Sequence, residues 1–278
     1  MLNNDIRTMN TERLVELIRR APVLAALRDA ESMDRRDLEA ELDVSKSTVH
    51  RLTRSLREHG LIEREAGAFV LTPLGRTCAR EVASFTATVE TAWELAPVLA
   101  AAAAHDVAFD MAAFADATVT TAAPGNPYQP VERFMTLVDA TDELRGLDPA
   151  IINPLHIDAL HERIVGGMTT EVVFPTSVVA ELLETNPDRA ERTFASGNFS
   201  ILVHDDLPFG LTLCAERVGV GSYDDDTGLL RTYADTDAPA AREWAEAVYD
   251  DYRDAAIPLG EHPELARLHP GMTVGESE

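Results

Sequence analysis

Between Leu38 and Leu71 the chain sets a helix, a tight turn, a second helix and two short apolar runs in immediate succession, and few folds satisfy that order. The second helix is its sharpest part. From Ser45 to Arg57 the apolar residues Val49, Leu52 and Leu56 recur at three and four residues, which lays one buried stripe along a helix. Ser45 is placed to cap its start and Gly60 to end it. Ahead of it Leu38 and Leu42, four apart, face inward together, and Asp43-Val44-Ser45 turns the chain. Earlier still, Leu14, Leu17 and Ile18 predict a helix over Thr11 to Arg20, and Pro22 opens a shorter one through Val23, Leu24 and Leu27. Behind it Leu61–Arg64 and Ala68–Leu71 flank Glu65-Ala66-Gly67 as a hairpin.

Opposite the apolar stripe lie Ser47, His50, Arg51 and Arg54. A helix with that layout can lie in a DNA major groove, early side chains reaching base edges and later ones gripping phosphate. Lys46, Ser47, Thr48, His50, Arg51 and Arg54 are therefore the candidate DNA-binding residues of this helix, with Arg64 beside them on the hairpin. A helix-turn-helix followed at once by a hairpin resembles the winged helix-turn-helix of bacterial and archaeal transcription regulators. The same parts also occur as solvated surfaces or as protein-docking modules. The wing tip departs from the usual pattern, carrying Glu65 in place of Arg or Lys.

Charge limits where nucleic acid could bind. The net charge is −24, yet residues 1–80 hold 14 Lys and Arg against 13 Asp and Glu, and residues 81–278 hold 10 against 35. Phosphate binding needs cationic side chains to displace counterions, so only the N-terminal stretch suits it. With 23 Arg the chain has one Lys, Lys46. Acidic surfaces almost free of lysine resemble cytoplasmic proteins of salt-loving archaea, where high internal salt screens self-repulsion. Two cysteines, Cys78 and Cys214, make no disulfide framework and fit a reducing cytoplasm. There is no long apolar run and no signal-peptide pattern, so no membrane partner is expected.

The expected organisation is α+β: a winged helix-turn-helix over residues 10–80, a connector helix over 81–105, a mixed α/β effector or sensory domain over 106–257, and a flexible acidic tail over 258–278. Thr72 and Pro73 start the connector as cap and first turn, and Val82, Phe85, Val89, Trp93, Ala96 and Leu99 keep helical spacing along it. That stripe serves either a homodimer interface or packing within the chain. A dimer would set two recognition helices about one DNA turn, ~34 Å, apart on a palindromic operator.

The C-terminal half predicts a helix near Val131–Val138, a short apolar run at Ala150–Asn153, a helix near Ile157–Val165, a strand at Glu171–Phe174 and a helix at Ser177–Glu184. Strands follow near Phe199–Val203, Leu211–Ala215 and Arg217–Gly221, and an amphipathic helix over Asp237–Ala255 closes the pattern. Strands alternating with helices and ending in a meander argue for a mixed sheet covered by helices.

Several stretches carry a family resemblance: the Ser45–Arg57 helix, Phe114–Thr120 with Asn126-Pro127-Tyr128, His204–Leu211, and Asp235–Pro239. Together they make residues 10–255 similar to haloarchaeal winged helix-turn-helix transcription regulators whose second half resembles the effector domain of a methanogenesis (filament) regulator. The resemblance implies a DNA-binding regulator with a sensory or oligomerising C-terminal domain.

Chemistry beyond that is sparse. His156 and His161 are five apart, which misses the spacing that puts two imidazoles on one helix face, and no metal or cofactor is expected. Cys78, between Arg76 and Arg80, would sense oxidant if exposed as a thiolate. For a small-molecule effector the candidates are Thr176 and Ser177 at a helix start, and Asp205 and Asp206 before Pro208. Each has a plainer reading as a cap or a turn. An α/β enzyme with an accessory winged helix is the rival reading, but no nucleophile–base pair or phosphate loop supports it. A His-x-Lys phosphodiesterase motif is excluded in the C-terminal half, which has no lysine. The sequence thus predicts a non-enzymatic, dimeric regulator of transcription acting on double-stranded DNA.

Overall fold

The computed structural model describes residues 2–150, 154–224 and 227–265. The chain forms two compact units, residues 1–87 and 88–278.

The first unit begins with α1 (Leu2–Arg19) and α2 (Ala21–Asp29), the latter started by Pro22 in its first turn. A two-residue strand, β1 (Ser32–Met33), precedes α3 (Arg35–Glu41). Asp34 caps α3 by accepting from the backbone N–H groups of Arg36 and Asp37, while Asp37 accepts from the Asp34 N–H. Next comes α4 (Lys46–Glu58), then β2 (Ile62–Glu65) and β3 (Ala68–Leu71). These strands pair in the order β1-β3-β2, all antiparallel. The hairpin tip is two residues, Ala66 at φ 49° and Gly67 at φ 95°. Both lie in the left-handed region that a tight hairpin turn demands, which Gly67 adopts freely and Ala66 at a cost. Leu24, Leu27, Leu38, Val49, Leu56 and Phe69 fill the core, so the stripe read from the sequence is the stripe that is buried.

The helix following β3, α5 (Pro73–Glu94), starts tight against that core: Thr72 accepts from the Gly75 N–H at 3.0 Å, and a Cβ on Gly75 would overlap the Leu61 carbonyl oxygen. The predicted single connector helix is in fact two. α5 ends at Glu94, and α6 (Ala96–Ala104) restarts with Pro97 in its first turn, where the missing N–H costs nothing. Leu95, Val98 and Ala102 are buried in the core of the second unit, so this half of the connector packs within its own chain.

The second unit is an eight-stranded mixed sheet between helices. Its elements are β4 (Thr118–Thr121), α7 (Gln129–Asp139), β5 (Glu143–Leu147), α8 (Pro154–Val165), β6 (Thr169–Phe174), α9 (Thr176–Thr185), α10 (Pro187–Ala195), β7 (Phe199–Val203), β8 (Gly210–Cys214), β9 (Val218–Tyr223), β10 (Leu230–Thr236), α11 (Pro239–Ala255) and β11 (Ile257–Pro258). The strand order is β11-β7-β6-β5-β8-β9-β10-β4. β5, β6 and β7 are parallel, joined by helical crossovers, and the remaining pairs are antiparallel. Alternation assigns the faces. Val173 and Leu147 join α6 and α11 on one side, while Val172, Phe174 and Leu144 meet α7–α10 on the other.

Further differences from the sequence reading have physical causes. The apolar run sought at Ala150–Asn153 falls largely outside the described residues; the strand there is β5, just upstream, whose Glu143, Arg145 and Gly146 disguise it. Asn186 and Pro187 start α10, a polar helix capped by the Asn186 side chain, where no element was expected. The stretch assigned to a fraying tail begins as structure: β11 pairs with β7, and Leu259 and Leu265 are buried against β6, β7 and α9.

Candidate functional site

The recognition-type surface is built on α4. Ser45 Oγ accepts from the Thr48 N–H at 3.4 Å and lies 2.9 Å from Ser47 Oγ and 3.1 Å from Thr48 Oγ1, so the three hydroxyls bracket the helix start. Lys46, Ser47, His50, Arg51 and Arg54 are exposed and Thr48 is half-buried. Thr53, on the inner face, is held by the Val49 carbonyl at 2.9 Å. Among the described residues no carboxylate pairs with Lys46 or Arg51. Arg54 differs: its Nε meets Glu58 Oε1 at 2.8 Å, both side chains exposed. That bond holds the Glu58 carboxyl below its usual range and raises the Arg54 guanidinium above its own. Arg54 is thus partly neutralised where it stands, a point the sequence did not expose although i,i+4 spacing was its signal. On the wing, Arg64 stacks over Phe69 at 5.2 Å from the ring centroid, which fixes the stem of an otherwise exposed cation.

Cys78 is half-buried against the first unit's core, and its two arginine neighbours are engaged elsewhere: Arg76 donates to the Leu71 carbonyl at 2.7 Å and Arg80 pairs with Glu81 at 2.9 Å. Cys214 is buried, which pushes its thiol up to about 11.

In the second unit, Thr176 and Asp205 come together, but as a cap. Pro175 leads into α9 without a side-chain cap, and Asp205 Oδ1 accepts from the Thr176 N–H at 2.7 Å, which holds the Asp205 carboxyl low. The chain's own carboxylate therefore occupies the helix start that was a candidate effector site, in line with its plainer reading as a cap. Asp206 is 3.0 Å from His105 Nε2, and Ser177 is exposed with no part in this contact. His161 Nδ1 is 2.6 Å from Thr193 Oγ1, and burial lowers its pKa. Among the described residues no three His, Cys, Asp or Glu side chains gather as metal ligands, and no helix is long and apolar enough to cross a membrane.

Two features of this unit were not read from the sequence. Asp235, fully buried on β10, is gripped by Arg133 through both carboxylate oxygens, at 2.7 and 2.8 Å, and by Arg217 at 2.5 Å. The second is a pocket of about 100 Å³ between the sheet and α7–α9, walled by apolar side chains and containing Asp148 and Tyr223.

Residues 8–94 match the HVO_A0261 N-terminal domain, and residues 127–255 match the middle domain of the methanogenesis regulatory protein FilR1. The chain thus joins an HVO_A0261-type N-terminal domain to a FilR1-type middle domain. The FilR1-type middle domain takes in α7 through α11, and so includes the Asp235 cluster and the pocket. The HVO_A0261-type domain carries α4 and the wing. No curated relative matches the sequence. Among solved structures, TrmBL2, described as an archaeal chromatin protein with a novel mode of DNA binding, aligns over 85% of this chain and 92% of that one, at 12% identity and a TM-score of 0.41. Nuc, a phospholipase D family member from Salmonella typhimurium, aligns over 51% of this chain and 97% of its own, at 12% identity and a TM-score of 0.41. Likeness at that level carries no functional argument.

Proposed function

We propose that this regulator is a sequence-specific transcription factor that binds double-stranded promoter DNA through α4 and the wing. The observation that carries the reading is the outer face of α4, where Lys46 and Arg51 stand exposed with no carboxylate partner among the described residues, in a chain of net charge −24. Ser47, Thr48 and His50 would reach base edges from the first turns, and Arg51, Arg54 and Arg64 would read guanine or grip phosphate. The protein works as a homodimer in the cytoplasm of a salt-loving archaeon, without catalysis of its own. The exposed Phe85 and Trp93, eight residues apart on α5, support a dimer. A signal received by residues 88–278 would alter the spacing of the two recognition helices, a coupling of typically ~1 to 3 kcal/mol.

The test is an operator selected from random-sequence DNA with the full chain, followed by gel-shift titration of wild type and Arg51→Ala. A bidentate arginine–guanine contact predicts a loss of about 1–3 kcal/mol confined to one base position. Unchanged affinity with an intact fold would remove α4 from the groove.

A further inference from the structure

The pocket in the FilR1-type domain has an unusual combination of walls and charge. Its lining is mainly apolar, with Val131, Phe134, Leu160, Val172, Phe199 and Leu230 contributed by helices and strands on one side of the sheet. Glycines let the walls pack close to the sheet. Gly146, Gly210 and Gly221 lie on adjacent strands facing it, and a Cβ on Gly210 would come within 2.7 Å of the Tyr223 hydroxyl, while one on Gly221 would meet Leu230 at 2.6 Å. The Tyr223 and Leu230 side chains occupy the space over Gly210 and Gly221, and the Leu211 carbonyl occupies that over Gly146, so the pocket's own walls lie close against the sheet.

Into this apolar space the fold places one carboxylate, Asp148, the first residue past the carboxyl end of β5, which is where α/β sheets commonly take ligands. Tyr223 donates to its Oδ1 at 2.6 Å, and the Ala150 N–H points at the same oxygen at 3.3 Å. Oδ2 accepts from no described residue, and no described cation pairs with the group. Arg145, which borders the pocket through its strand, turns to the opposite face, where it stacks over Tyr249 and meets Glu143 and Glu246. Asp148 is half-buried, so water reaches the carboxyl, and an ammonium that displaces that water gains a charge-assisted hydrogen bond in a mainly apolar setting. The surroundings agree: burial pushes Asp148 up to about 7.

We propose that this pocket binds a small, mainly apolar molecule carrying one protonated amine, whose ammonium pairs with Asp148 Oδ2 while its apolar body lies against Phe134, Phe199 and Leu230. An enclosed cavity of ~150 Å³ takes up benzene, so this pocket of about 100 Å³ holds a short alkyl chain by itself and a ring only where the ring reaches into the adjoining hollow. A second hollow of about 310 Å³ shares Ile157, Leu160, Leu182 and Phe199 with the first, which leaves room for a longer tail. The inference rests on the reading of residues 88–278 as the signal-receiving half and names the ligand class and its site.

The experiment titrates the full chain, at fixed salt, with three matched probes: 2-phenylethylamine, 2-phenylethanol and phenylacetate. Binding is read by calorimetry and by the thermal transition. A charge-assisted hydrogen bond in the pocket predicts that the amine binds on the order of tenfold more tightly than the alcohol, with phenylacetate weakest. In Asp148→Asn, an isosteric change that keeps an acceptor for Tyr223, the amine preference disappears and the alcohol binds as before. Leu182→Phe, at the junction of the two hollows, weakens amine and alcohol alike, with folding verified by circular dichroism. Absence of saturable binding by any probe, or an amine preference that survives Asp148→Asn, overturns the proposal. Operator affinity measured on the same samples separates this outcome from a failure of the DNA-binding reading, because the amine titration needs no DNA.

Discussion

Removing Asp235 is the sharpest test of how the FilR1-type unit is held together. The carboxylate is fully buried and is the shared acceptor of two guanidiniums, Arg133 from α7 and Arg217 from the turn before β9. Arg217 also donates to the Asp235 carbonyl at 3.1 Å. Asp235→Ala leaves Arg133 without its partner and Arg217 with the backbone carbonyl and a 3.5 Å contact to Asp237. Breaking a fully buried pair typically costs about 3–5 kcal/mol. Here Arg133 and Arg217 are 29% and 28% exposed, so each can turn partly to water, and we set the cost at the lower end, about 3 kcal/mol. For a unit of this size that converts to a fall in Tm of about 6–12 °C. Both tryptophans, Trp93 and Trp244, belong to the second unit, so their emission follows its unfolding without interference from the first. Asp235→Asn, which keeps one acceptor, falls between wild type and Ala. A drop of under about 2 °C for the Ala variant would mean that apolar packing of α7 alone holds that helix, and the argument from the shared carboxylate would be wrong.

Other consequences follow from single positions. Gly75→Ala drives a methyl into the Leu61 carbonyl, so the first unit should lose about 1–3 kcal/mol by chemical denaturation; a neutral result would contradict the close approach of α5 to the backbone just before β2. Glu58→Gln releases Arg54 and should raise operator affinity in a gel-shift titration, whereas weaker binding would show that Glu58 positions Arg54 productively. Asp148→Asn should stabilise the protein, and more so at high pH. A native pKa of about 7 lies above the ordinary 3.8, so ionising the native carboxyl costs stability progressively as pH rises from about 4 to about 7. The variant's advantage, at most about 4 kcal/mol and less where solvent reaches the group, should be largest near pH 8 and shrink to about a third near pH 5. Equal melting curves at both pH values would show that water screens the half-buried Asp148 completely.

The first unit was legible because its elements are specified locally. Val49, Leu52 and Leu56 repeat at helical spacing, Ser45 and Thr72 cap, Gly60 adopts φ 69° after the helix, and Ala66-Gly67 closes the hairpin. What escaped notice in the second unit is tertiary. β5 reads as a turn because Glu143, Arg145 and Gly146 interrupt it, yet Gly146 is glycine because the Leu211 carbonyl of the neighbouring strand occupies its Cβ position. β10 reads as polar because Thr232, Asp235 and Thr236 are buried along it, and the partners of Asp235, Arg133 and Arg217, lie far from it in sequence. The effector-site residues divide in the same way. Thr176 and Asp205 are signals of a cap and serve as one, while Asp148 and Tyr223, 75 residues apart, meet only in the folded sheet. On α4 the candidate residues are where their spacing put them, and the pairing of Arg54 with Glu58 is the correction that geometry adds.

The central claim is that α4 reads promoter DNA. Genome-wide occupancy of the tagged full chain in its native cell, compared with an Arg51→Ala, Arg54→Ala double variant, addresses it most directly. The account predicts sharp promoter peaks that share a palindromic sequence and vanish in the variant while protein level and thermal stability stay unchanged. Peaks that persist in the variant, or an absence of peaks under every growth condition, would contradict it.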